Sequence, residues 1–259
     1  MDLLTLEIDG RAATEGELRY LALTNYAHFT AMQVRGQAVR GLALHLERLD
    51  AATRELYGTG LDGERVRGCI RRALGERVSD ATVRVTVFQP DAARPPSVLV
   101  AVRPPAEVPA APQRLRSVEY QRPVAHIKHT GMFAQIHYGL RAEHDGFDDA
   151  VFTSGDGVLS EAAIANLGGC RDDTVTWPDA PVLPGITMLL LDRYLPAAGL
   201  TSRRGTVRLD GLSGFGAVFV TNSLGVSPVG RVDGQSLDPD PRIMKTIIGV
   251  YEGIPWDPI

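Results

Sequence analysis

Four prolines in eleven residues, RPPAEVPAAPQ at 103–113, constrain this chain more than any other stretch. Proline lacks a backbone N–H and fixes φ, so neither a helix nor a central strand runs through such a segment. The chain is therefore expected to divide there, into a small N-terminal domain over 1–105, a linker over 106–118 and a larger domain over 119–259. With 44% hydrophobic and 22% charged residues, each part has apolar material for a core.

Hydrophobic periodicity outlines the elements. LTLEID (4–9), LRYLALT (18–24) and AMQVR (31–35) read as short strands between polar turns. Leu42, Leu46, Leu49, Ala52 and Leu56 keep helical spacing up to Gly58, and Val66, Cys69, Ile70, Ala73 and Leu74 repeat it after Asp62. TVRVTVF (82–88) and SVLVAV (97–102) read as a hairpin, which makes an α+β N-terminal unit. Beyond the linker come a strand in SVEYQRPVA, a helix begun by Phe133, Ile136 and Leu140, a hairpin around GDG, and helices opening at Pro184 or Gly185 and at Pro241.

A net charge of −4 without a basic cluster gives no footprint for nucleic acid or an anionic membrane, and no stretch has the apolar length of a membrane helix. Cys69 and Cys170 are far apart and outside any CxxC, so neither a disulfide framework nor a cysteine metal site is expected. With no leader at its N-terminus, the chain reads as cytoplasmic with a small-molecule partner. Of the 27 basic residues only Lys128 and Lys245 are lysines. Arginine stays charged at every cellular pH, whereas a desolvated lysine loses its proton and becomes a nucleophile.

Three features of the second half point to one ligand: Lys128 after a strand, Glu161 in VLSEAAIAN, and LPGITM at 183–188. A helix beginning there offers the Ile186 and Thr187 N–H groups, with the Thr187 hydroxyl, to a phosphate. Arg48 can fork onto the same anion. A carboxylate such as Glu161 keeps a pyridine nitrogen protonated, and a lysine amine condenses with an aldehyde. Phosphate, pyridinium and aldehyde are the three handles of pyridoxal phosphate.

At these residues the chain resembles the class IV (fold type IV) pyridoxal-phosphate enzymes, which include branched-chain and D-amino-acid aminotransferases and 4-amino-4-deoxychorismate lyase. HLERLD (45–50) is similar to the family's phosphate-binding arginine motif at Arg48, and AHIKHTG to its Schiff-base segment at Lys128. GFDDAVFTSGDGVLSEAAIANLGG resembles the run that ends in Ser-Glu with an Asn five residues on, here Glu161 and Asn166. LPGIT resembles the phosphate-cup helix start, and VFVTNSLGVSPV the loop whose hydroxyl, here Ser223, reaches the phosphate. The resemblance implies a two-domain α+β fold with a small N-terminal domain and a larger pseudo-barrel domain, assembled as a homodimer. It implies transamination between an amino acid and a 2-oxo acid, with Lys128 carrying the cofactor and Glu161 on its ring nitrogen. Alternatives are the lyase reaction, which forms p-aminobenzoate and pyruvate, and cofactor binding without turnover.

The family's Asp-Arg and Gly-Asp-Gly near the third strand are replaced by TNYAHFTAMQV, and the Tyr five residues after the lysine in branched-chain enzymes is Phe133. Phe29 is a candidate substrate-pocket wall, and Arg84, alternating in TVRVTVF, a candidate fork for a substrate carboxylate. His126 and His129 flank the lysine, but without a nearby Cys or a converging third ligand no metal is expected.

Overall fold

The computed structural model describes residues 3–259, which divide into two compact units. Among the described residues, the first unit combines 3–107, 127–131 and 255–259, and the second combines 108–126 and 132–254.

In the first unit, β1 (Thr5–Ile8), β2 (Arg11–Ala12), α1 (Glu15–Leu23), β3 (Ala27–Val34), β4 (Ala38–Val39), α2 (Leu42–Tyr57), α3 (Gly63–Leu74), β5 (Ala81–Phe88) and β6 (Ser97–Arg103) follow in order. Their sheet runs β2-β1-β6-β5-β3. Alternation decides its two faces: Val83, Val85 and Val87 are completely buried with Ile70, Leu49 and Leu74 of the two helices, while Arg84 and Thr86 point to the opposite face. The Asp62 carboxylate caps α3 by accepting the Glu64 N–H at 2.9 Å, and Gly58, at φ 69°, ends α2 in the left-handed conformation.

LRYLALT is a helix, not the strand its apolar content suggests. The Thr14 hydroxyl accepts the Glu17 N–H while the Glu17 carboxylate accepts the Thr14 N–H at 3.1 Å, a capping box that nucleates α1. β3 likewise begins four residues earlier than AMQVR, at Ala27.

The second unit holds β7 (Gln113–Glu119), α4 (Phe133–His144), β8 (Asp149–Thr153), β9 (Leu159–Ala162), β10 (Asn166–Arg171), β11 (Thr174–Pro178), α5 (Ile186–Tyr194), β12 (Thr201–Gly205), β13 (Ala217–Asn222), β14 (Gly225–Val232), β15 (Gln235–Ser236) and α6 (Pro241–Glu252). The short β16 (Asp257–Pro258) pairs with β4 in the first unit. Six strands, β10-β13-β14-β7-β8-β9, form a ring that closes where β9 meets β10 at the pair Glu161–Asn166. Leu115, Val151, Leu167, Val218 and Val229 fill its core. The mixed sheets and helices and this barrel-like ring make the chain an α+β protein, as expected. The apolar set that starts α4 faces outward: Phe133 is 81% exposed, Ile136 54% and Leu140 59%, whereas Gln135 and Ala142 are buried. Among the described residues no helix is long and apolar enough to cross a membrane.

Candidate active site

In the first unit, Lys128 lies in a short segment that extends the sheet past β3. The Phe29 N–H donates to the Lys128 carbonyl at 2.8 Å, the Thr130 N–H to the Ala27 carbonyl at 2.8 Å, and His28 and His129 form a bridge pair. Lys128 Nζ lies 4.9 Å from the centre of the Phe29 ring, and the Arg84 guanidinium stacks on the same ring at 3.6 Å. Lys128, Phe29 and Arg84 therefore meet around one aromatic ring.

Arg48, from α2, donates to the Thr30 hydroxyl, while its Nε is buried without a partner. Burial lowers its pKa to about 10. Arg84 is lowered to about 10 as well, by burial and then by Arg103, and its Nε donates to the Thr86 hydroxyl at 3.4 Å. Neither guanidinium has a carboxylate partner among the described residues. A desolvated cation without a counter-charge is costly in a free protein and complementary to an anion.

Two histidines support this part of the unit, both neutral. His28 Nε2 meets the Thr53 hydroxyl at 3.0 Å, and because that hydroxyl donates to the Leu49 carbonyl, His28 is the donor. Burial, with a smaller contribution from Arg48, lowers the His28 pKa to about 4. Burial, then Arg48, then Lys128 hold His45 well below the usual histidine range. On acidification the unfolded chain protonates near pH 6.5 while folded His28 waits until about 4, so this group costs stability as pH falls through that window. Asp149, whose carboxyl burial raises to about 6, acts in the opposite sense. The histidine effect is therefore read as a difference. Between pH 7 and 5, urea melts should show the wild type losing about 1–2 kcal/mol more than His28→Gln, which keeps the donor but does not titrate.

In the second unit, Glu161 is buried and paired with buried Arg122, Nε to Oε1 at 3.0 Å, and its Oε2 accepts the Leu183 N–H at 3.1 Å. Asn166, its neighbour across the closing pair of the ring, donates from Nδ2 to the Leu183 carbonyl at 2.7 Å. Both side chains thus hold the loop that leads into α5. That helix starts at Gly185 without a side-chain cap, with Ile186 and Thr187 buried, so among the described residues no side chain caps its leading N–H groups. The Thr187 hydroxyl donates to the Asn222 carbonyl at 2.6 Å, which ties α5 to the turn carrying Ser223. Gly185 is required here by close approach: a Cβ would stand 2.0 Å from Asn166 Oδ1. Gly185→Ala should displace Asn166 and lower stability by about 1–3 kcal/mol, read as a reduced Tm of the cofactor-free protein.

The structure thus collects the expected residues into two sets, one in each unit. It adds Thr30, His45, Arg122 and the Asn222 carbonyl, which sequence reasoning missed. Arg122 is one arginine among many with its partner 39 residues away, so no local signal marks it. Thr30 is an unremarked strand residue. His45 stands one helical turn before Arg48 in HLER, a spacing that does signal a shared face.

In the first unit the buried, unpartnered Arg48 Nε suits an anion, and in the second the uncapped start of α5 suits a phosphate and the acceptor Glu161 a protonated ring nitrogen, the groups that pyridoxal phosphate carries. Among solved structures the chain is similar to a hypothetical aminotransferase from Mycobacterium tuberculosis in its PLP-bound form, at 19% identity and TM-score 0.80, covering 91% of this chain and 90% of that one. It is similar to the branched-chain aminotransferase of Thermoproteus uzoniensis, at 18% identity and TM-score 0.84, with 96% and 94% covered. A putative 4-amino-4-deoxychorismate lyase from Legionella pneumophila shares 19% identity at TM-score 0.81, with 91% and 93% covered. A search of curated proteins returns no match. The model of the amino-transferase class IV family matches residues 27–232. That match spans both sets of candidate residues, and the chain belongs to the class IV aminotransferases, enzymes that depend on pyridoxal phosphate.

Proposed function

We propose that the chain transfers an amino group between an amino acid and a 2-oxo acid, with Lys128 as its catalytic lysine. The observation that carries this reading is a pair of desolvated arginines, Arg48 and Arg84, without counter-charges among the described residues of the unit that holds Lys128. Bound pyridoxal phosphate supplies the reactive aldehyde and the electron-withdrawing ring. Arg48, the Ile186 and Thr187 N–H groups and Ser223 bind its phosphate, and Asn166 fixes the loop ahead of α5. Glu161, backed by Arg122, accepts the proton-bearing ring nitrogen. Lys128 Nζ holds the cofactor and, once free, takes the α-proton of the amino acid. Arg84 receives a substrate carboxylate in its fork, and Phe29 forms the wall beside it.

The protein acts as a homodimer in this reading. Ile136 and Leu140 of the outward apolar stripe of α4, with Ile164 57% exposed, line a cavity of about 360 Å³ that a second copy would fill. Light scattering should give twice the chain mass at micromolar concentration, and a fully active monomer would reject the dimer. Free, buried Cys69 and Cys170 suit a reducing compartment, and we place the enzyme in the cytoplasm.

The test mixes holoprotein with single L- and D-amino acids and follows the absorbance change to the pyridoxamine form. Conversion by at least one donor is expected. No conversion, with pyruvate released from aminodeoxychorismate, would make the protein the lyase. Neither activity would leave a cofactor-binding protein without turnover.

A further inference from the structure

We propose that Thr30 and His45 are positioning residues for the phosphate: the Thr30 hydroxyl, held by His45, sets the Arg48 guanidinium in the orientation that receives the anion. The inference deepens the function proposed above and rests on it, since Arg48 meets a phosphate only where pyridoxal phosphate binds.

Hydrogen-bond direction supplies the argument. A guanidinium only donates, so Thr30 Oγ1 is the acceptor of Arg48. Thr30 is completely buried, and its Oγ1 lies 2.6 Å from His45 Nδ1. The hydroxyl has one hydrogen to place, and His45 is its other polar neighbour. That hydrogen therefore goes to Nδ1, which must be bare, and the imidazole proton resides on Nε2. A neutral His45 is what such an acceptor requires, and its burial beside Arg48 and Lys128 keeps it neutral. The chain Arg48 N–H to Thr30 O–H to His45 Nδ1 runs in one direction, so each bond polarises the next. One donor of Arg48 is thereby anchored while its buried Nε stays unpaired in the protein.

The anchor is stiff because both ends belong to regular structure. His45 and Arg48 share one face of α2 at a spacing of three, and Thr30 is paired with Val85 of the neighbouring strand β5. An arginine side chain has many rotamers, and holding it in one before the ligand arrives removes part of that ordering cost from binding.

The experiment strips the cofactor from the holoprotein and reloads it with either pyridoxal phosphate or pyridoxal, which lacks the phosphate. Thr30→Val keeps the shape and removes the hydroxyl. It should raise the Kd for pyridoxal phosphate about tenfold and leave that for pyridoxal unchanged, while Thr30→Ser restores wild-type values. His45→Leu should reproduce the Val phenotype, His45→Asn, which puts an oxygen where Nδ1 stood, should rescue it, and Thr30→Val/His45→Leu should be no worse than either single change. If Thr30→Val does not fold, the His45 pair carries the same comparison. Equal weakening of both ligands, or failure of the Ser and Asn rescues, would make the two residues core supports and overturn the proposal. Arg48→Leu separates the levels. If it binds pyridoxal phosphate as tightly as wild type, the phosphate role of Arg48 falls. If it binds weakly while Thr30→Val and His45→Leu do not, the positioning inference alone falls.

Discussion

Lys128→Arg should fold like the wild type, bind pyridoxal phosphate without covalent attachment and lose turnover by roughly 10²–10⁴-fold or more. The environment supports the first part. Lys128 contributes its backbone carbonyl to the pairing with β3, which any side chain leaves intact, and an arginine can keep the cation over the Phe29 ring. If position 128 only needs a positive charge, the change costs about 1 kcal/mol or less. If the amine is the nucleophile and proton carrier, a guanidinium does neither at neutral pH. Borohydride reduction followed by peptide mapping reads the difference. The pyridoxyl group should be found on Lys128 in the wild type and nowhere in the variant. Its appearance on Lys245 would overturn the site.

Glu161→Gln should lower both turnover and stability, the first by orders of magnitude and the second by about 3–5 kcal/mol. Glu161 accepts on both oxygens, from Arg122 at 3.0 Å and from the Leu183 N–H at 3.1 Å. Glutamine has one acceptor, so either orientation turns its NH₂ onto a donor, and the buried Arg122 loses its counter-charge. Urea melts of the cofactor-free protein read the stability loss. Adding Arg122→Met to Glu161→Gln should recover part of it, because the double change leaves no buried charge unpaired. Unchanged turnover in Glu161→Gln would remove Glu161 from the mechanism, and unchanged stability would mean that the ion pair is not closed in solution.

The helices and strands with strong periodicity were legible because their sequence pattern and their burial have one cause. Val83, Val85 and Val87 alternate in the sequence and are all completely buried, and Val66, Ile70 and Leu74 form the inner stripe of α3. α1 was misread because none of its residues is buried, so its apolar content carried no reliable period, and the signal lay in Thr14 and Glu17. α4 was placed correctly as a helix but its apolar stripe points away from the core, a pattern that periodicity does not distinguish from an inward one. In the candidate site, residues inside contiguous motifs were readable from spacing. Thr30 and Arg122 were not, because their partners come from distant segments and only the fold brings them together.

The pairing of residues 127–131 with β3 bears on whether the small unit can exist apart. A fragment ending at Glu107 would lack that segment and also β16, which pairs with β4. β3 is the terminal strand of its sheet, so the fragment would bare the Phe29 N–H and the Ala27 carbonyl along an edge whose neighbours include the buried Phe29 and Met32. An uncovered apolar edge recruits other strands. Gene fusions or truncations made at the proline-rich stretch should therefore yield a small unit that associates edge to edge or exchanges strands with its copies, and adding a 127–131 peptide in trans should suppress that association by covering the edge.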